Sequence, residues 1–216
     1  MLNTLIQEIT NWIHSSDKKQ IIGISGHGAA GKTTFAQQLM KELKSDINYL
    51  NTDPYIVSSS IRKFAMVDYT YNDSSHRFKM TACHPAAHHV VSLERDITML
   101  KEGMDLLTID THYAKSEILS SQNQLTIVEG MSVAFTNPEL YDLLIYFYTD
   151  DDTELERRFG RDIQERGTDI EYLKQSHHER RIQYEVFMHP YSKQFDLIIK
   201  STQESILIEG NKFDFS

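Results

Sequence analysis

The sequence predicts an α/β protein in three layers, a mainly parallel sheet with helices on both sides. Three observations lead there: short apolar runs that lack polar alternation, stretches of helical period between them, and a glycine-rich loop that joins one run directly to a helix. Strands covered on both faces read as unbroken apolar runs, whereas a sheet with one wet face alternates.

Taken in order, Leu2, Leu5, Ile6, Ile9, Trp12 and Ile13 recur at helical spacing and predict an N-terminal helix over 1–14. Its polar face lacks the basic residues of a membrane-surface helix. Gln20 to Ser25 is a short apolar run ending at glycine, and Phe35, Leu39, Met40 and Leu43 give a helix over 33–44. Residues 47–51, 124–128 and 143–148 read as strands, 87–101 as a helix, 152–164 and 168–187 as charged helices, and 196–199 with 206–208 as late strands. The polar stretch 56–82, with its serine and Asn-Asp-Ser-Ser clusters, is expected to be irregular and to lie on the substrate side of the sheet.

At 216 residues with four prolines and no visible linker, the chain is expected to form one domain over 1–216. Acidic residues outnumber basic ones 31 to 22, which argues against nucleic acid or anionic lipid as a partner. Any phosphate ligand then needs a local basic pocket. A single cysteine, Cys83, forbids an internal disulfide and suits a reducing compartment. With no leader-like segment and no long apolar run, the expectation is a cytoplasmic protein without a membrane partner. Homo-oligomerisation is left open.

Gly26-His27-Gly28-Ala29-Ala30-Gly31-Lys32-Thr33, with Thr34 after it, has the spacing of a phosphate-binding loop. Glycines let backbone N–H groups surround the phosphates, the helix start adds positive potential, the lysine reaches the outer phosphates, and Thr33 offers a hydroxyl to Mg²⁺. The flanking strand and helix supply the context this motif requires. ATP and Mg²⁺ are therefore the expected cofactors, with a small-molecule hydroxyl as acceptor. Asn211-Lys212-Phe213-Asp214 matches a guanine-reading pattern, but no Asp-x-x-Gly follows the loop to sense a γ-phosphate, and it reads as coincidence.

Ligands of open α/β sheets sit beyond the carboxyl ends of the strands. Two acids follow predicted strands there: Asp53, able to take the proton of an attacking hydroxyl, and Glu129, able to hold Mg²⁺. Asp53-Pro54 and Glu129-Gly130 also read as ordinary turns, and the loop's presence favours the chemical reading. Arg158 and Arg161 fall one helical turn apart, with Arg166 at the helix end. Arginine forks suit phosphate oxygens, although Glu154 and Arg158 also form the i,i+4 pair of a solvated face. Cys83, His84, His88 and His89 lack paired metal-ligand spacing, and His177 and His178 read as solvent-facing.

Together these motifs resemble the phosphoribulokinase and uridine kinase family of P-loop kinases over about 21–199. They comprise Gly23-Ile24-Ser25-Gly26 entering the loop, Asp53-Pro54-Tyr55, His84-Pro85, Glu129-Gly130, Arg157-Arg158-x-x-Arg161-Asp162-Ile163-x-x-Arg166-Gly167, and Gln175. The resemblance implies a P-loop kinase fold with a helical lid at about 153–168, and transfer of the γ-phosphate of Mg·ATP to a nucleoside such as uridine. It implies Asp53 as base beside catalytic Lys32, Thr33 and Glu129 on the metal side, and Arg158 and Arg161 over ATP. Tyr55, His84, Arg166 and Gln175 are implied on the acceptor side. The chain departs from the pattern at Cys83, where uridine kinases carry an aspartate, and at Thr168, where an arginine is usual. Phosphoribulokinase-like or pantothenate kinase-like acceptors, or a nucleotide-binding regulator without acceptor, are the alternatives.

Overall fold

The computed structural model describes residues 2–43, 46–166 and 170–215, with side chains outside 161–175. The chain opens with α1 (Leu2–His14), β1 (Gln20–Gly26), α2 (Lys32–Leu43) and β2 (Ile47–Asn51). Next come a short helix α3 (Ser59–Arg62), a hairpin of β3 (Met66–Tyr71) and β4 (Ser74–Lys79), and α4 (Val90–Lys101). A small pair, β5 (Leu106–Leu107) and β6 (Ile118–Leu119), precedes β7 (Leu125–Glu129) and β8 (Leu143–Tyr148). Two charged helices, α5 (Asp151–Arg166) and α6 (Ile170–Gln183), then lead to β9 (Leu197–Ser201) and β10 (Ile206–Asn211).

Six strands form one sheet in the order β10-β9-β8-β1-β7-β2, parallel except for β10. The central strands β1 and β7 are buried along their whole length, as their unbroken apolar runs predict. Ile22 and Ile24 pack with Leu5, Ile9, Phe35 and Leu39 of α1 and α2 on one face, whereas Ile21 faces Leu93, Ile97 and Leu100 of α4 on the other. That is the predicted three-layer α/β fold. Trp12 meets Phe213 edge to face at 5.0 Å, which fastens α1 to the segment after β10. Among the described residues, no helix is long and apolar enough to cross a membrane.

Two expectations need correction. The stretch 56–82 is not irregular, because it holds α3 and the β3–β4 hairpin. Asn72 and Asp73 supply the two positive φ angles, 48° and 60°, that a two-residue turn matched to strand twist requires. The helix expected from residue 87 begins at Val90. Residues 85–87 instead form a 3₁₀ turn, and His88 pairs with Ile56 in an isolated bridge, so the backbone is committed elsewhere.

Candidate active site

Strand register brings the candidate acids to the loop. Ile24 of β1 lies beside Glu129 of β7, which lies beside Asn51 of β2, so Glu129 and Asp53 both emerge at the edge where β1 enters the glycine loop. At this edge opens a cavity of about 1160 Å³, lined among others by 28–34 of the loop, Tyr49, Asp53, Glu129, Arg158 and Arg180. Gly26 and Gly31 have φ of 134° and 99°, a region that L side chains rarely adopt, and Ala29 stands at 65°. A Cβ on Gly26 would also strike the Phe147 carbonyl, so the turn out of β1 is closed to other residues.

Lys32 begins α2, and its Nζ donates to the His27 carbonyl at 2.9 Å, folding the ammonium back over the loop. Thr33 Oγ1 donates to Glu129 Oε2 at 3.0 Å, and the Tyr49 hydroxyl donates to the same oxygen at 2.8 Å. Burial, then the Glu129 charge, pushes the Tyr49 phenol above its usual range, so it stays a donor. Hydroxyl and carboxylate oxygens form the hard donor set that suits Mg²⁺, which keeps several waters and phosphate oxygens as its other ligands. Gly130 makes this possible: its φ is 142°, and a Cβ there would lie 2.1 Å from Thr52 Oγ1. Asp53 is exposed on the cavity wall, with its backbone N–H held by Asn51 Oδ1 at 2.9 Å.

The His27 ring turns away from the phosphate cradle into the protein. It is fully buried; the Thr149 N–H donates to its Nε2 at 3.0 Å, which puts the proton on Nδ1, facing the Gly28 carbonyl at 2.8 Å and Glu154 at 3.3 Å. Burial lowers the His27 pKa and keeps the ring neutral. Glu154 is itself only 1% exposed and lies near Arg158, Arg180 and Arg181, at 3.9, 3.7 and 3.3 Å. Burial pushes its carboxyl up, but the His27 hydrogen bond and the neighbouring cations, Arg180 among them, hold it well below the usual carboxylate range. Glu154 and Arg158 are thus an i,i+4 pair, but a buried one and not a solvated face.

Other predicted residues are distributed differently. Tyr55 is sunk in the core with its hydroxyl on Asp96 at 2.5 Å, and does not line the cavity. His84 stands edge-on to Phe187 at 4.5 Å and accepts the Ala86 N–H, also off the cavity wall. Its neighbour Cys83 is completely buried, and burial raises its pKa so that it stays a thiol. His177, expected at the surface, is buried against Asp151 at 2.9 Å, with Arg158 3.4 Å away. The side chains of Arg161, Arg166 and Gln175 lie outside the described residues, as does Thr168.

Residues given no site role from the sequence also shape the site. Arg157 donates to the Ala29 carbonyl at 3.1 Å and to Ser201 Oγ and the Thr202 carbonyl at 3.2 and 3.0 Å, tying the loop to the end of β9. Arg180 lies over the loop, so that a Cβ on Gly28 would sit 2.7 Å from its Nη2. Arg62 of α3 lines the same cavity. Arg180-Arg181 ends a charged helix and could have been flagged as a second arginine pair. Nothing around Arg62 in the sequence announces it.

The chain matches the model of the phosphoribulokinase / uridine kinase family over residues 21–207. A uridine kinase of Lactobacillus helveticus is 29% identical over 197 residues, covering 88% of this chain and 90% of the relative. A uridine kinase of Staphylococcus haemolyticus is 31% identical over 193 residues, covering 83% and 86%. Among solved structures, phosphoribulokinase from Rhodobacter spheroides superposes with a TM-score of 0.59 at 18% identity, covering 86% of this chain and 71% of that one. D-glycerate 3-kinase from Cryptococcus neoformans gives 0.56 at 10%, covering 94% and 99%. At such identities the structures speak for the fold alone.

Proposed function

Because this chain belongs to the phosphoribulokinase / uridine kinase family, and so is a small-molecule kinase, we propose that it moves the γ-phosphate of Mg·ATP to a hydroxyl of its acceptor. The observation that carries this reading is the cavity wall itself: the loop with Lys32 follows β1, Asp53 follows β2, and Glu129, paired with Thr33 of α2, ends β7 between those two strands. Loop N–H groups and Lys32 bind the phosphates. Thr33 and Glu129 would hold Mg²⁺, which supplies charge neutralisation at the β- and γ-oxygens when bound. Asp53 orients the acceptor hydroxyl and takes its proton as the new O–P bond forms; the bond from the γ-phosphorus to the β,γ-bridging oxygen breaks, and ADP leaves.

Buried Arg158, braced by His177 and Glu154, together with Arg180, adds positive charge where negative charge gathers. Arg161 is proposed to join them over the nucleotide, with 153–168 acting as a lid on a single kinase domain, and Arg166 and Gln175 to meet the acceptor. Uridine, the substrate in the relatives' names, heads the panel of acceptors to be tried. The experiment is ADP release with Mg·ATP across nucleosides, sugars, pantothenate and ribulose 5-phosphate, with Lys32→Ala as control. Acceptor-dependent release that Lys32→Ala abolishes is expected; ATP binding with no stimulation by any acceptor would favour a nucleotide-dependent regulator instead.

A further inference from the structure

The cavity is rich in cations: Lys32, Arg62, Arg157, Arg158 and Arg180 line it, against the carboxylates of Asp53 and Glu129. Four of the five are tied to the nucleotide end. Lys32 and Arg157 bind loop carbonyls, and Arg158 and Arg180 share Glu154. Arg62 is different. It enters from the segment that follows Asp53, its Nε donates to the Val57 carbonyl at 2.7 Å and its Nη1 to the Met80 carbonyl at 3.2 Å, and it pairs with no carboxylate among the described residues.

Two carbonyls aim a guanidinium without neutralising it, and they use only two of its five N–H donors. Its electrostatic neighbours do not compensate it either: Arg180 repels it, and the Cys83 thiol is kept neutral by burial. A half-buried cation held in a fixed orientation at a cavity wall, with donors to spare and no counter-ion, is a site for an anion. The nucleotide's phosphates already have the loop, Lys32 and the arginines of α5 and α6. A neutral polyol would leave Arg62 desolvated and unmatched.

Resting on the phosphotransferase reading of the same cavity, we infer that the acceptor carries an anionic group, a carboxylate or a phosphate, besides the hydroxyl that is phosphorylated, and that Arg62 binds that group. Asp53 then meets the hydroxyl while Arg62 fixes the far end of the molecule. This orients one hydroxyl of several toward the γ-phosphate.

The test uses matched pairs: glycerol and glycerate, pantothenol and pantothenate, ribulose and ribulose 5-phosphate. Each is assayed for Mg·ATP-dependent ADP release and for binding by titration calorimetry with a non-hydrolysable ATP analogue present. An anionic member is expected to outperform its neutral partner by at least about tenfold in kcat/KM, with the carboxylate and phosphate arms showing which anion fits. Arg62→Gln should raise KM for that acceptor about 10- to 100-fold and leave KM for ATP unchanged.

Equal use of both members of every pair, or an Arg62→Gln effect on KM for ATP that is the same for all acceptors, overturns the inference and leaves the kinase reading standing. Binding of an anionic member that Arg62→Gln abolishes, with no turnover of any compound tested, would keep Arg62 as an anion site but overturn the inference that the anion belongs to a phosphorylated acceptor, and would count against the kinase reading itself. If no anionic member binds or is turned over, the inference is overturned.

Discussion

Thr33 and Glu129, 96 residues apart in sequence, meet through a 3.0 Å hydrogen bond from hydroxyl to carboxylate. The pairing exists because β1 and β7 are in register, and it places one oxygen from each beside the loop, where Mg²⁺ is proposed to bind. Replacing Glu129 with Gln keeps a partner for Thr33 and removes the charge. Turnover should fall at least about 100-fold, with a raised Mg²⁺ requirement read by titrating the metal in the ADP-release assay.

Lys32→Ala removes the ammonium that bridges back to the loop carbonyl of His27. ADP release should drop about 100- to 1000-fold or more while the unfolding midpoint moves little, since the lysine lines the open cavity and its ammonium bonds a loop carbonyl. Unchanged turnover would remove the central claim.

Asp53→Asn keeps the shape of the side chain and its backbone contact to Asn51. A loss of about 10²- to 10⁴-fold in kcat is expected, with ATP affinity by calorimetry unaltered. A change confined to KM would reassign Asp53 to binding.

Glu154→Gln strips the carboxylate from between His27, Arg158, Arg180 and Arg181. Leaving buried cations without their counter-charge should destabilise the protein by about 3–5 kcal/mol. For a chain of this length that is a fall of roughly 10 °C in Tm by calorimetry.

His88 carries a pH prediction. Burial pushes its pKa down from 6.5 to about 4, while its two nitrogens are taken by the Ser132 hydroxyl and the Ala82 carbonyl, each at 2.8 Å. The unfolded chain therefore takes a proton first: the contribution, about 3 kcal/mol, is whole above pH 6.5 and is lost as pH falls from there toward 4. Denaturant midpoints measured across that window should decline, and His88→Gln should flatten the slope. An equally steep decline in the variant would assign the loss to other groups.

The sheet, its burial and the phosphate loop were legible because they rest on local signals: apolar runs, helical period and a motif with fixed spacing. Asp53 and Glu129 were legible as strand-end acids. The hairpin was missed because its strands are half exposed and lack a clean alternation, and its turn uses Asn-Asp rather than a glycine pair. Tyr55 reads as a pocket residue beside Asp53, yet Asp96, 41 positions away, takes its hydroxyl into the core. Arg62 was invisible as a site residue because tertiary packing alone brings it to the cavity, whereas Arg180 had the signal of an arginine pair that went unused.

One turn of α6 ties the β3–β4 hairpin to the glycine loop. Glu179 accepts from Tyr69 of the hairpin, Arg180 hangs over Gly28 of the loop, and Gln183 holds Lys79 and Thr81 at the hairpin's exit. These three residues span about 6 Å of helix, too short and too rigid a rod for one contact to shift without the others. Tugging on the hairpin therefore loads the Arg180 guanidinium above Gly28 of the glycine loop.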